Sequence, residues 1–261
     1  MGARDFQTIM YQQEDGIATI MLNRPSAFNA FTAEMNKEII QALKVASKDD
    51  DVRCIVFTGN GKAFCVGEDL GGVDEHTNHA TFLRERYHPM MKAIKNVPKP
   101  IVAAVNGTAA GAGMSLALAA DFRLVQPRTK FVSAFMNIGL LPDSGFMYVL
   151  PRLIGYAKAL EIAVLGKPIS GEEAVKLGLA TEMIDVDDWE EKVHTFATTM
   201  AGLPTKAFSL IKRYMMDGMH LPFDEALEQE AQAQRIAGMS DDHQEGLQAF
   251  KEKRSPNFTG N

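Results

Sequence analysis

The chain has 261 residues, 46% hydrophobic and 23% charged, with a formal net charge of −6. That length holds one large domain or a domain with an appendage, and the acidic balance argues against broad nucleic-acid binding. No stretch approaches the roughly eighteen unbroken apolar residues of a membrane span, and the start, Met1 to Gln7, lacks a signal-peptide core. A cytoplasmic protein with no membrane partner is expected, with Cys54 and Cys65 as reduced thiols.

In chain order, Phe6 to Gln12 and Ile17 to Asn23 read as two strands joined at Glu14-Asp15-Gly16, a hairpin signal. Arg24 to Ala30 is a loop. Met35, Ile39, Ile40, Leu43 and Ala46 mark an amphipathic helix capped by Thr32. Cys54 to Thr58 is an apolar strand, and a turn at Gly59 to Lys62 leads into Ala63 to Leu70. Residues 71–80, polar and glycine-bearing, predict a mobile loop before a helix over 80–96, which Pro98 and Pro100 end. Ile101 to Val105 suits a buried strand; Gly107, Gly111 and Gly113 alternate with alanines before an uncharged helix, Met114 to Ala120. Strand and helix alternate so far, which predicts an α/β fold with right-handed crossovers. An apolar strand is expected before the turn Pro142-Asp143-Ser144-Gly145, then helices over 147–154 and 157–165. Ser170-Gly171-Glu172-Glu173 fits a capping box, Thr181 to Ile184 a strand, and Asp187 an N-cap for a helix through Met200. From Thr205 onward the pattern is helical, broken at residues 218–222 and near Gly238.

Two glycine-bearing loops, Phe64 to Leu70 and Gly107 to Gly113, carry the strongest chemical signal. One backbone N–H from each could meet a carbonyl oxygen, and a donor of this kind lowers a charged transition state by about 3 kcal/mol. Two tight turns that need glycine for packing are the competing reading. Neither loop has the spacing of a phosphate or dinucleotide loop. Asp143 is a candidate acid/base whose apolar neighbours Leu140, Leu141, Phe146 and Met147 allow a desolvated site; otherwise it caps the following helix. Ser115 resembles half of a nucleophile elbow, but no histidine follows in a fitting place, so a small packing residue is the simpler reading. Asp74, Glu75, His76 and His79 offer a metal set only in a polar loop, and no metal is expected. The basic end around Lys251, Lys253 and Arg254 would suit a phosphate group or simply sit in water.

The segments Ala63 to Leu70 and Asn106 to Gly113 resemble the two signature segments of the crotonase, or enoyl-CoA hydratase/isomerase, superfamily. Arg24 to Ala30 and the ending Ala249 to Arg254 resemble it too, so the likeness spans nearly the whole chain. It implies an α/β fold built as a spiral of ββα turns over residues 1–200, and a helical region, 201–261, that builds homotrimers, commonly paired into hexamers. It implies an acyl-CoA thioester as substrate, with no separate cofactor. It also implies oxyanion donors at the N–H groups of Glu68 and Ala112. Coenzyme A would lie along Arg24, Ala27 and Phe28 and along Phe64, Cys65, Gly67, Asp69 and Leu70, near Gly111, Gly113 and Phe135. Phe250 and Lys253 would approach it from the C-terminal end of the same or a neighbouring subunit.

Where hydratases of this superfamily carry two glutamates, this chain has Ser115 and Phe135. Hydration needs a base for water and an acid for the α carbon, whereas one carboxylate suffices for a double-bond shift. Asp143 resembles the acidic position of the superfamily's isomerases, and the surrounding pattern resembles those acting on ring-1,2-epoxyphenylacetyl-CoA. The sequence therefore predicts an enoyl-CoA isomerase with Asp143 as acid/base. The alternatives are a 2-enoyl-CoA hydratase of fatty-acid or phenylacetate degradation, with Glu68 or a loop acid activating water, and a non-catalytic protein that binds an acyl-CoA or a partner.

Overall fold

A computed structural model describes residues 6–72 and 76–261. The chain opens with the expected hairpin, β1 (Ile9–Glu14) against β2 (Ile17–Leu22), turning on Asp15 and Gly16, both at positive φ. β1 starts later than the apolar run suggests. The amides of Gln7 and Thr8 are taken by the Glu38 carboxylate at 2.6 and 2.8 Å instead of by a neighbouring strand. Glu38 lies on α1 (Ala33–Lys48), whose N-cap Thr32 accepts from the Met35 amide at 3.2 Å, as its sequence predicts.

Three strand pairs follow, each split between two sheets. They are β3 (Cys54–Gly59) with β4 (Ala63–Cys65), β5 (Ile101–Val105) with β6 (Thr108–Ala110), and β7 (Phe122–Val125) with β8 (Lys130–Val132). A helical segment returns the chain after each of the first two pairs. The first comprises α2 (His79–Phe82), a π-turn (Leu83–Tyr87) and α3 (His88–Lys95); the second is α4 (Ala112–Ala119). After β8 come α5 (Phe146–Ile154) and α6 (Tyr156–Leu165), then β9 (Ile169–Ser170) and α7 (Gly171–Lys176), capped by Ser170. β10 (Glu182–Met183) completes the strands. Among the described residues the sheets have the orders β1-β2-β3-β5-β7-β10 and β4-β6-β8-β9. This is the spiral of ββα turns that the resemblance implies.

Alternation within the strands divides the core. Ile55, Phe57, Ile101, Ala103 and Val105 face the helices and the small sheet. Cys54, Val56, Val102, Ala104 and Leu124 face the other way, under α8 (Trp189–Ala201). Asp188, not Asp187, precedes α8, and it makes no side-chain cap because its carboxylate pairs with Lys192 at 3.3 Å.

The C-terminal region is helical as expected: α9 (Thr205–Gly218), α10 (Phe223–Gly238) and α11 (Asp241–Glu252). Side chains pin it to the core. Lys212 meets Asp121 at 2.8 Å, and the Arg53 guanidinium donates to Thr205, Leu203 and Phe258. No helix among the described residues is long and apolar enough to cross a membrane.

One expectation fails. The strand before Pro142 is a 3-10 turn, Met136–Ile138, ended by Gly139 at φ +71°, and the amides of Ile138 and Leu140 both donate to the Phe135 carbonyl. The loop expected over 71–80 is flanked by a 3-10 turn at Leu70–Gly72 and by α2 from His79, and residues 73–75 between them, Asp74 and Glu75 included, lie outside the described residues.

Candidate active site

Because β4, β6 and β8 run parallel, with one irregularity in β4 between Ala63 and Cys65, their C-terminal ends meet on one edge, the usual place for a site in an α/β sheet. The chain leaves β4 through Gly67-Glu68-Asp69, leaves β6 through Gly111-Ala112, and leaves β8 toward Phe135 and Asp143. Gly67 has φ +98°, and a methyl group there would stand 3.1 Å from the Ala110 carbonyl oxygen and 3.3 Å from the Ala112 nitrogen. The two glycine loops are therefore in contact, and only glycine permits it.

Glu68 is fixed from both flanks by Phe31. The Phe31 amide donates to the Gly67 carbonyl at 2.7 Å, and the Asp69 amide donates to the Phe31 carbonyl at 3.0 Å. That pattern leaves the Glu68 N–H pointing away from Phe31. Ala112 is the first residue of α4, so its N–H has no partner inside the helix. Neither amide donates to an acceptor among the described residues. α4 is buried almost throughout, and its N-terminus brings positive potential to the same place.

Asp143 lies on the turn before α5, a turn tied to α4 through Ser115. Its Oδ1 is buried and without a hydrogen-bond partner, and the buried Ser144 hydroxyl is the polar group beside the carboxyl. Burial pushes the Asp143 carboxyl above the ordinary aspartate range, against the Ser144 hydroxyl and the more distant His88 and His79. Of the four apolar neighbours expected around it, Phe146 is buried and Leu140 half-buried, whereas Leu141 and Met147 are exposed. Phe146 also meets Phe135, the two rings edge to face at 6.2 Å. Asp143 does not cap α5 with its side chain. Its carbonyl accepts from the Phe146 amide at 3.0 Å, while Gly145 occupies the N-cap.

Ser115 is a packing residue. Its buried hydroxyl donates to the Asp143 carbonyl at 3.0 Å and so ties α4 to the turn that carries the carboxylate. Phe135 lies against Gly111, with its ring tip 3.9 Å from where a methyl on Gly111 would stand. The Glu68 carboxylate is also occupied. It accepts both terminal nitrogens of Arg86, at 2.9 and 3.1 Å, and the hydroxyl of Tyr87.

The remaining candidates divide. Arg24 is ordered beside the loop, donating to the Asp69 carboxylate at 2.9 Å and to the Ala30 carbonyl at 2.7 Å. The Arg24 guanidinium holds the Asp69 carboxyl below its usual range. Ala27 and exposed Phe28 sit on the turn that follows. Leu70 is exposed at the loop's end. Phe64 and Cys65 bury their side chains and offer a ligand only main chain; burial pushes the Cys65 thiol up to about 12, which makes it inert. Gly113 serves packing, since a methyl there would lie 2.1 Å from the Cys65 carbonyl oxygen. Phe250 and Lys253 are at the end of α11, which packs on α10, and the Phe250 side chain is exposed. Beside them Arg254 is spent on Glu245 and Glu252. No metal-ligating cluster occurs among the described residues. Arg86 and Tyr87 escape sequence reasoning because nothing local marks them as partners of a residue eighteen or nineteen positions earlier.

Residues 12–261 match the enoyl-CoA hydratase/isomerase family. Over 256 residues the chain is 43% identical to a probable enoyl-CoA hydratase of Rhodobacter capsulatus, covering 98% of this chain and 99% of that one. It is 39% identical to the 1,2-epoxyphenylacetyl-CoA isomerase of Escherichia coli, covering 97% and 98%. The crystal structure of an enoyl-CoA hydratase from Bacillus anthracis superposes with a TM-score of 0.91 at 31% identity, covering 98% of this chain and all of that one.

Proposed function

This chain belongs to the enoyl-CoA hydratase/isomerase family, and on that premise we propose that it is an isomerase of acyl-CoA thioesters with Asp143 as its acid/base. The Asp143 carboxylate removes an α proton from a 3-enoyl thioester. The electron pair moves onto the thioester oxygen, giving a dienolate whose charge is met by the N–H groups of Glu68 and Ala112. The same carboxyl returns its proton at the γ carbon, and the double bond comes to rest between the α and β carbons. A carboxyl held above the ordinary range is a stronger base for this step, closer in pKa to neutral pH.

One observation carries the reading. Asp143 has a buried, unpartnered oxygen, while the two positions that would supply a hydratase's acids hold Ser115 and Phe135. Glu68 does not fill the gap, because Arg86 and Tyr87 already take its carboxylate. A second substrate fits the same machinery. The relative named as a 1,2-epoxyphenylacetyl-CoA isomerase and the aromatic pair Phe135 and Phe146 favour an aromatic ring epoxide, opened through the same enolate toward the oxepin. Arg24, Ala27 and Phe28 are placed to receive the coenzyme A portion. The test is conversion of 3-hexenoyl-CoA by wild type and by Asp143→Asn: loss in the variant supports the reading, and retention removes it.

A further inference from the structure

We propose that Arg86 is a positioning residue that holds the Glu68 amide in the oxyanion hole by clamping the Glu68 carboxylate. The inference rests on the hole described above. Phe31 holds the main chain on either side of Glu68 through one bridge, whose two hydrogen bonds are the only main-chain anchors of this loop segment among the described residues. The side chain adds a further anchor between them. Both Arg86 terminal nitrogens meet the two carboxylate oxygens at 2.9 and 3.1 Å, and the Tyr87 hydroxyl donates to one of them.

The clamp is itself held in place. Arg86 Nη2 also donates to the Asn36 side chain on α1 at 3.2 Å, and the guanidinium lies 4.3 Å over the Phe82 ring. The fully buried Tyr87 ring packs edge to face on Phe31 at 5.6 Å, so the residue that fixes the Glu68 main chain also supports a donor to its side chain. Arg86 and Tyr87 are consecutive in the π-turn, and that local widening lets both reach one carboxylate.

The arrangement is costly for a purely structural contact. Burial raises the Glu68 carboxyl, and an apolar pair of similar volume often packs as well as a buried ion pair. Next to a hole that must accept negative charge, an uncompensated carboxylate would oppose the enolate. Arg86 cancels that charge while it fixes the geometry.

The test uses full-length protein with hexanoyl-CoA, a saturated thioester that cannot isomerise, labelled at the carbonyl carbon. Infrared spectroscopy of the complex reads the carbonyl stretch, which falls as the hole polarises the bond. In Arg86→Gln the stretch should return toward its value in water, and kcat for 3-hexenoyl-CoA should fall at least about tenfold. Hexanoyl-CoA affinity should change by less than about threefold, and Arg86→Lys should recover part of both losses. Tyr87→Phe keeps the ring and should give a smaller shift in the same direction, which preserves the test if Arg86→Gln does not fold. A folded Arg86→Gln with the wild-type stretch and kcat would overturn the inference and leave the proposed function standing. A wild type whose stretch matches the free thioester would remove the hole, and this inference with it.

Discussion

On the proposed reading Asp143 carries the chemistry, and replacing it would separate catalysis from binding. Asp143→Asn keeps the shape and removes the base, so turnover should fall by at least about a hundredfold while acyl-CoA binding, measured by calorimetry, persists. In the wild type, activity should decline on acidification with a midpoint above that of an ordinary aspartate, because only the ionised carboxyl is a base. The same shift has a consequence for stability. A carboxyl raised in the folded state adds stability below its unfolded pKa, and that contribution is lost as pH rises through the folded value. Asp143→Asn should therefore melt higher than wild type at neutral pH, and the advantage should vanish in acid. Pro142-Asp143-Ser144-Gly145 showed a carboxylate on a turn, and only the superfamily resemblance marked it as an acid/base rather than a helix cap. The Phe135–Phe146 ring pair was not legible, because it spans a 3-10 turn that reads, by composition, as a strand. Glu68 was legible only as a main-chain donor; the clamp on its carboxylate depends on a helix that begins beyond the loop.

Among elements, the contact between α4 and β4 sets the distance between the two donor loops. Gly113→Ala would force a methyl against the Cys65 carbonyl at 2.1 Å, and rigid backbone on both sides leaves no easy relief. Urea unfolding should show a loss of at least about 3 kcal/mol, with activity reduced in whatever protein folds. Wild-type stability would show that α4 can move away from β4. The long elements were readable, since α1 carries a clear apolar face and a capping threonine, and β3 and β5 are unbroken apolar runs. The small sheet was not. Strands of two or three residues, such as β4, β6, β8 and β9, are too short to show a period, and β6, Thr-Ala-Ala between Gly107 and Gly111, reads equally well as a loop. The π-turn inside the 79–95 helical segment also leaves no mark in composition.

For the whole molecule, the C-terminal helices leave large apolar side chains uncovered. Met215 is 67% exposed, Phe223 76%, Met239 73% and Phe250 85%. Surface of this kind needs a partner, and the trimer or hexamer expected of the sequence would supply it. Light scattering after size exclusion should give a mass three or six times that of one chain. A monomer would leave those faces unexplained and would remove the route by which Phe250 and Lys253 could reach a neighbouring site. The central claim, a double-bond shift by one carboxylate, is tested most directly by a paired assay of the purified protein with 3-hexenoyl-CoA and 2-hexenoyl-CoA, following absorbance of the conjugated thioester. The account predicts a rising signal from the 3-enoyl substrate and little loss from the 2-enoyl one. Rapid loss from the 2-enoyl substrate would mean hydration, and would contradict the assignment of Asp143 as a lone acid/base.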